Sequence, residues 1–138
     1  MSELHWMTAK AAAAAIAKRE LSPVELVNAL LNRIERLNPR LNVFIRLEAE
    51  AALKGARAAE AEAARGRLRG ALHGVPVGIK DIIDVAGLPT TCHSKVLENK
   101  IAGADAECVA RLRGARDFRR HSRVIQTTWP RRRPRPTR

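Results

Sequence analysis

The most constraining feature of the sequence is a helix start at residues 22–25. Ser22 stands at the N-cap position, Pro23 at the first helical position and Glu25 at the third. Serine and glutamate at this spacing form a capping box, and proline is favoured in the first turn of a helix. The apolar residues that follow recur at helical spacing and predict one buried stripe, made of Val27, Leu30, Leu31, Ile34 and Leu37. Asn38-Pro39 is expected to end the helix.

The other segments predict an alternation of helices and strands. Residues 4–20 contain an alanine run that favours a helix, and residues 48–65 predict another helix that is mostly exposed. The β-branched and aromatic residues 42–47 predict a strand. Residues 75–79 are almost wholly apolar and predict a strand that is buried on both faces. With a short capped helix over residues 105–112, the order indicates an α/β architecture.

The net charge of +12 is concentrated at the end of the chain. Residues 115–138 carry nine arginines and one aspartate, whereas the rest of the chain carries 17 basic and 13 acidic residues. Residues 116–138 contain few hydrophobic residues and three prolines, so they are predicted to be a disordered tail after a folded part at residues 1–115. Arginines that contact phosphates, with Phe118 or Trp129 stacked on bases, would bind nucleic acid. Such charge runs are more often solvated, and nucleic acid is therefore not the expected partner.

Three further features indicate the compartment. The two cysteines, Cys92 and Cys108, form no CxxC pair and are expected to be free thiols in a reducing environment. The N-terminal residues lack the pattern of a secretory signal. The longest apolar run, Ala11 to Ala17, has seven residues, whereas a membrane-spanning helix needs about 20. We expect a cytoplasmic chain with no membrane partner.

Lys80 is the candidate catalytic residue. It directly follows the apolar residues 75–79 and precedes Asp81 and Asp84. Burial disfavours the ammonium form, so a lysine at the end of a buried strand can serve as a neutral base. The alternative is that Lys80 pairs with Asp81 or extends into solvent.

Other reactive side chains form weaker patterns. Cys92, His93, His73 and Cys108 include no pair at the close spacing typical of structural zinc sites. Cys92 could act as a nucleophile with a histidine base, but adjacent side chains on a loop usually diverge. We expect solvated loop residues at 92 and 93 and a structural or exposed His73. Neither a metal nor a cofactor is expected.

Residues 71–95, ALHGVPVGIKDIIDVAGLPTTCHSK, closely resemble the segment that carries the catalytic lysine in the amidase signature family. The similarity extends over about residues 4–115. It implies the N-terminal part of the amidase signature fold, a mixed sheet flanked by helices, and a small-molecule amide substrate. It also implies that Lys80 is the general base. In such enzymes the lysine activates a serine in a cis peptide, and that serine relays the proton from a nucleophilic serine.

The sequence departs from the family beyond Lys80. The two family serines lie in glycine- and serine-rich segments, whereas the serines that follow Lys80 here are Ser94 and Ser122, in other settings. We therefore expect an amidase fragment that is inactive alone. The change to an arginine- and proline-rich composition after Gly114 is what a shifted reading frame in a GC-rich gene would produce. No signal in the sequence indicates an oligomeric state.

Two family branches and one other class stay open. Residues 94–99, SKVLEN, are similar to the glutaminase subunit of tRNA-dependent amidotransferases. Residues 84–91, DVAGLPTT, are more similar to free amidases and favour that branch. The third possibility is a non-catalytic interaction fragment that pairs with a separately encoded remainder.

Overall fold

The computed structural model describes residues 4–114 and the backbone of residues 125–127. The described part is mostly helical. After a short 3-10 turn at Leu4–Trp6, its helices and strands are α1 (Ala9–Ala17), α2 (Pro23–Leu41), α3 (Ala49–Ala64), β1 (Gly78–Lys80), a 3-10 turn at Lys95–Leu97, α4 (Glu107–Gly114) and β2 (Ile125–Thr127).

The start of α2 confirms the predicted capping. The Ser22 hydroxyl accepts hydrogen bonds from the backbone N–H groups of Val24, at 3.0 Å, and Glu25, at 3.2 Å. The same hydroxyl donates to the Glu60 carboxylate on α3. One serine therefore caps α2 and ties it to the neighbouring helix.

The predicted end of α2 at Asn38-Pro39 is wrong, because Pro39 lies inside the helix. The chain turns at Asn42, which adopts a left-handed conformation with φ of 50° and donates from its N–H to the Asn38 carbonyl at 2.7 Å. The Asn38 side chain then bonds both the N–H and the carbonyl of Phe44, each at 2.8 Å. The strand predicted over residues 42–47 is reduced to a single bridge residue at Arg46, and the Phe44 backbone bonds a side chain instead of a neighbouring strand.

The helix predicted over residues 4–20 is interrupted near Thr8. The Thr8 hydroxyl accepts from the Ala11 N–H at 3.1 Å and caps α1. Trp6, which lies before this cap, is 70% exposed and stacks with the Arg33 guanidinium at 5.5 Å from its ring centre. Trp6 therefore contributes a surface contact with α2 and is not part of the buried core.

Helix α2 is the centre of the helical part. It packs against α1 through one cluster, whose buried members are Ala12, Ile16, Leu21 and Leu26. It packs against α3 through a second cluster, whose buried members are Val27, Leu31, Ala52 and Ala56. The predicted apolar stripe of α2 is thus only partly buried. Leu30, Ile34 and Leu37 are half-buried, because α1 and α3 pack on the two sides of this stripe.

Strand β1 pairs with β2 in parallel, with Gly78 opposite Ile125 and Lys80 opposite Thr127. Within the described residues the sheet consists of these two strands, so the expected mixed sheet is present only in part. Burial of β1 on both faces is also wrong. Ile79 is buried but Gly78 is exposed, and the preceding Pro76 has no N–H to donate to a ladder.

Residues 125–127 lie within the stretch that was predicted to be a disordered tail, and their pairing with β1 differs from that prediction. The other residues from 115 to 138, including Phe118, Ser122 and Trp129, lie outside the described residues. For them the disordered tail stays a prediction.

Gly74 connects the loop before β1 to the helical part. It adopts a left-handed φ of 75°, and a Cβ added there would lie 2.9 Å from Pro23 Cγ and 3.3 Å from Ile16 Cδ1. Gly74→Ala should therefore combine backbone strain with overpacking and lower the free energy of unfolding by about 2 kcal/mol.

Gly66→Ala is the matched control for this prediction. Gly66 has a similar φ of 71°, but nothing lies within 4 Å of its added Cβ. Only the backbone strain applies, about 1 kcal/mol. Urea unfolding measures both variants, and equal losses would show that the contact with Pro23 and Ile16 does not contribute.

Candidate functional site

Lys80 is the last residue of β1 and is half-buried. Its neighbour Ile79 packs into a buried cluster with Val85, Leu88 and Val109. Because successive side chains of a strand point to opposite faces, Lys80 leaves β1 on the face opposite to this cluster. The carboxyl ends of parallel strands are where open α/β sheets bind their ligands. Lys80 is thus at the end of β1 where a binding site is expected.

Asp81 fixes the chain directly after Lys80. It is 1% exposed, and its carboxylate accepts from the Thr91 N–H at 2.9 Å and from the Thr91 hydroxyl. The Asp81 carbonyl accepts from the Cys92 N–H at 3.0 Å. Hydrogen bonds to a charged group are stronger than neutral ones. The Asp81–Thr91 contact therefore clamps the strand end to the loop over residues 91–94.

The loop over residues 91–94 has an unusual backbone. Cys92 and His93 both adopt left-handed conformations, with φ of 49° and 59°. Ser94 donates from its N–H to the Thr91 carbonyl at 2.8 Å, and its hydroxyl accepts from the Val96 N–H at 3.3 Å. Ser94 thus caps the 3-10 turn at Lys95–Leu97. Cys92 and His93 are exposed, as expected for solvated loop residues.

The aspartates that follow Asp81 hold α4 to the site. The Asp84 carbonyl accepts from the Ala106 N–H at 2.9 Å, while its side chain pairs with Lys100 at 3.7 Å. The carboxylate of Asp105 accepts from the Ala86 N–H at 2.8 Å and pairs with Arg113 at 2.6 Å. Asp105 thus joins α4 to the segment that follows Lys80.

His73 has a structural role. It is 5% exposed, its Nδ1 accepts from the Arg69 N–H at 3.1 Å, and its Nε2 lies 2.8 Å from the Ala59 carbonyl. A neutral ring protonated on Nε2 satisfies both contacts. Arg69 in turn pairs with Glu62 on α3. His73 therefore fastens the loop before β1 to α3, and neither ring nitrogen is left for a metal.

The reactive side chains outside this region are dispersed. Cys92 and Cys108 are free and exposed. In the part of the chain that the structure describes, no three His, Cys, Asp or Glu side chains are grouped so that they could hold a metal ion. Among the described helices, none has the length and apolar character needed to cross a membrane.

Sequence reasoning assigned no role to the adjacent threonines Thr90 and Thr91. Both lie in the loop that returns to Asp81, but only the Thr91 hydroxyl bonds the Asp81 carboxylate. Thr90 is 1% exposed, and its hydroxyl has no hydrogen-bond partner among the described residues. No local sequence pattern indicated this contact, because Thr91 lies ten positions after Asp81.

Valine substitutions at these two positions should differ in their effect on stability. Thr91→Val removes a donor to a buried carboxylate and should lower the free energy of unfolding by about 2 kcal/mol. Thr90→Val removes an unpaired buried hydroxyl and should leave stability unchanged or raise it by about 0.5–1 kcal/mol. Guanidinium unfolding of the two variants checks this. A larger loss from Thr90→Val than from Thr91→Val would contradict the assignment.

Known proteins share both the sequence and the fold of this region. The sequence profile of the family described as Amidase matches residues 25–116. One glutamyl-tRNA(Gln) amidotransferase subunit, from Acidothermus cellulolyticus, is 44% identical over 115 residues, which cover 83% of this chain and 23% of that protein. An acylamidase from Rhodococcus erythropolis is 39% identical over 112 residues, covering 81% of this chain and 24% of that protein.

A solved structure shares the fold. The peptide amidase from Stenotrophomonas maltophilia matches with a TM-score of 0.72 and 33% identity, over 89% of this chain and 24% of its own chain. The chain therefore spans about a quarter of the length of these relatives.

Proposed function

The chain belongs to the amidase signature family, and on that premise we propose that it supplies the general-base segment of an amidase-type active site, with Lys80 as the base. The observation that carries the proposal is the placement of Lys80. Its side chain is half-buried at the carboxyl end of β1, in the segment that matches the family. Asp81 supports it, because its bonds to Thr91 fix the backbone from which Lys80 extends.

The proposed chemistry is hydrolysis of a carboxamide C–N bond in the whole protein. The Lys80 amine accepts a proton from a relay serine, which accepts one from the nucleophilic serine. The nucleophile attacks the carbonyl carbon, the C–N bond breaks, and the leaving amine or ammonia takes up a proton. Water then releases the acyl group as a carboxylic acid. This arrangement is a relay version of a nucleophile with an oriented base.

A chimera tests the proposal. Residues 4–114 of this chain would replace the matched quarter of the Stenotrophomonas maltophilia peptide amidase, and release of ammonia or amine from that enzyme's own substrate would be measured. We expect a folded chimera that hydrolyses the amide. The 138-residue chain alone is the negative control, because Ser94, the described serine after Lys80, serves as a cap. A folded chimera with no activity above this control would contradict the proposal.

Glutamine hydrolysis is the second candidate, favoured by the 44% identity with the amidotransferase subunit. The same residues would be grafted into the Acidothermus cellulolyticus protein, and ammonia release from glutamine would be compared with the result in the peptide amidase. If only the amidotransferase graft keeps its host's activity, glutamine replaces a simple amide as the proposed substrate class.

A further inference from the structure

An apolar cavity of about 410 Å³ lies between the second half of α2 and the segment that leads into β1. We refer to it as the α2 groove. Small-molecule sites typically occupy about 300–1,000 Å³ and combine apolar walls with a few polar groups. The α2 groove has this composition, because its walls are mostly aliphatic and aromatic side chains, with the polar side chains of His5, Arg33 and Asn38 among them. Its size and lining therefore suit a small ligand.

The polar end of the α2 groove is built around Trp6. The Arg33 guanidinium lies 5.5 Å from the centre of the Trp6 ring, and the ring centres of His5 and Trp6 are 5.1 Å apart. The ring attracts the charge and accepts no conventional hydrogen bond, so the guanidinium keeps N–H donors for an anion. Arg33 is half-buried and forms no ion pair with any described residue. Trp6 therefore holds in place a cation that has no anionic partner in the described part of the chain.

The charges beside α2 distinguish the α2 groove from a second cavity. None of the residues that line the α2 groove is acidic. The second cavity lies beside the first half of α2 and is lined by Glu25 and Glu60, with no basic residue. An anionic ligand is therefore attracted to the α2 groove and repelled from the second cavity.

The apolar walls extend from Arg33 toward the end of α2. They include Ile34, Leu37 and Leu41, with Phe44 from the following segment. Arg33 and Leu41 are eight residues apart in one helix. At 1.5 Å per residue this is about 12 Å, close to the length of an extended chain of about ten carbons. Covering these walls with an alkyl chain removes apolar surface from water, which favours binding.

We propose that the α2 groove binds a medium-chain carboxylate. The carboxylate accepts hydrogen bonds from the Arg33 guanidinium, and the alkyl chain lies along α2 toward Leu41. Hydrogen bonds between two charged groups are about twice as strong as neutral ones, and the guanidinium fork matches the two carboxylate oxygens. Lys80 does not line the α2 groove, so this site is separate from the proposed function.

Binding of decanoate to the full 138-residue chain tests the proposal. Trp129→Phe leaves Trp6 as the one tryptophan of the sequence, so its fluorescence reports on the polar end of the α2 groove. Decanoate would be added below the concentration at which it forms micelles, with 1-decanol as the neutral ligand of equal chain length. We expect a saturable change in Trp6 fluorescence, one decanoate per chain by calorimetry, and at least tenfold weaker binding of decanol.

Matched variants in the Trp129→Phe background identify the contacts. Arg33→Gln should weaken decanoate binding at least tenfold, because the charge-assisted hydrogen bonds are lost. Arg36→Gln removes the same charge from an exposed position of α2 that does not line the α2 groove, so decanoate binding should stay within about twofold. Leu37→Gln should weaken the binding of decanoate and of decanol alike. Circular dichroism would establish that the variants are folded.

Three outcomes would overturn the proposal. The first is that decanoate shows no saturable binding. The second is that decanol binds as tightly as decanoate, which would show that the α2 groove does not recognise an anion. The third is that folded Arg33→Gln binds decanoate as tightly as the unmodified arginine does, which would assign the anion to other basic residues, such as the arginines of residues 115–138.

Discussion

Replacing Asp81 by alanine is expected to lower the free energy of unfolding by about 3–4 kcal/mol. The carboxylate is 1% exposed and accepts two hydrogen bonds from Thr91. Each hydrogen bond to a charged group contributes about 1.5–3 kcal/mol, and removal of the acceptor also leaves the Thr91 donors without it. Asp81→Asn keeps an acceptor oxygen and should lower the free energy of unfolding by less than Asp81→Ala does. Denaturant unfolding monitored by circular dichroism measures both variants.

Two comparisons test whether this loss of stability comes from the Asp81–Thr91 contact. Asp84→Ala should cost under about 1 kcal/mol, because the Asp84 and Lys100 side chains are 41% and 48% exposed. In a double-mutant cycle, Asp81→Ala and Thr91→Val should couple by more than about 1 kcal/mol. Additive losses from the two substitutions would contradict a direct interaction between them.

Local sequence signals predicted the helices best. The start of α2 depends on Ser22, Pro23 and Glu25, which are neighbours in sequence, and the structure has the helix begin there. The end of α2 and the strand over residues 42–47 were wrong for a related reason. Asn38 bonds the Phe44 backbone across six residues. This contact depends on the left-handed turn at Asn42, which β propensity does not report.

The place of Lys80 at the end of a strand was predicted, but the contacts around it were not. The apolar residues before Lys80 and the family resemblance both indicated a lysine at the end of a strand, and Lys80 does end β1. The Asp81–Thr91 contact spans ten residues, so no local pattern indicated it. The next two residues, Cys92 and His93, adopt positive φ values that single-residue preferences disfavour.

Periodicity also overestimated burial on α2. Leu30, Ile34 and Leu37 share a face with Val27 and Leu31 by spacing, but only the last two are buried. Spacing defines which residues share a face. It does not define which neighbour covers that face, and the described part of the chain covers Leu30, Ile34 and Leu37 only in part.

Replacing Lys80 by alanine in the peptide amidase chimera should have the largest effect on function. A positioned general base raises the reaction rate by about 10²–10⁴-fold. Removing one member of a proton-transfer unit also removes most of the contribution of the other members. We therefore expect kcat to fall by about 10³-fold or more. Because Lys80 is half-buried at a strand end, alanine removes the amine while the Asp81–Thr91 contact can still form, and stability should change little.

The rate of amide hydrolysis by three chimeras tests the assignment of Lys80 most directly. The chimeras carry the unmodified segment, Lys80→Ala or Lys100→Ala. Lys100 is the matched control, because it is a lysine that pairs with Asp84 and is 48% exposed. We predict that Lys100→Ala keeps the rate within about twofold, while folded Lys80→Ala falls to the level of the 138-residue chain alone. A folded Lys80→Ala chimera that hydrolyses the amide as fast as the unmodified one would contradict Lys80 as the base.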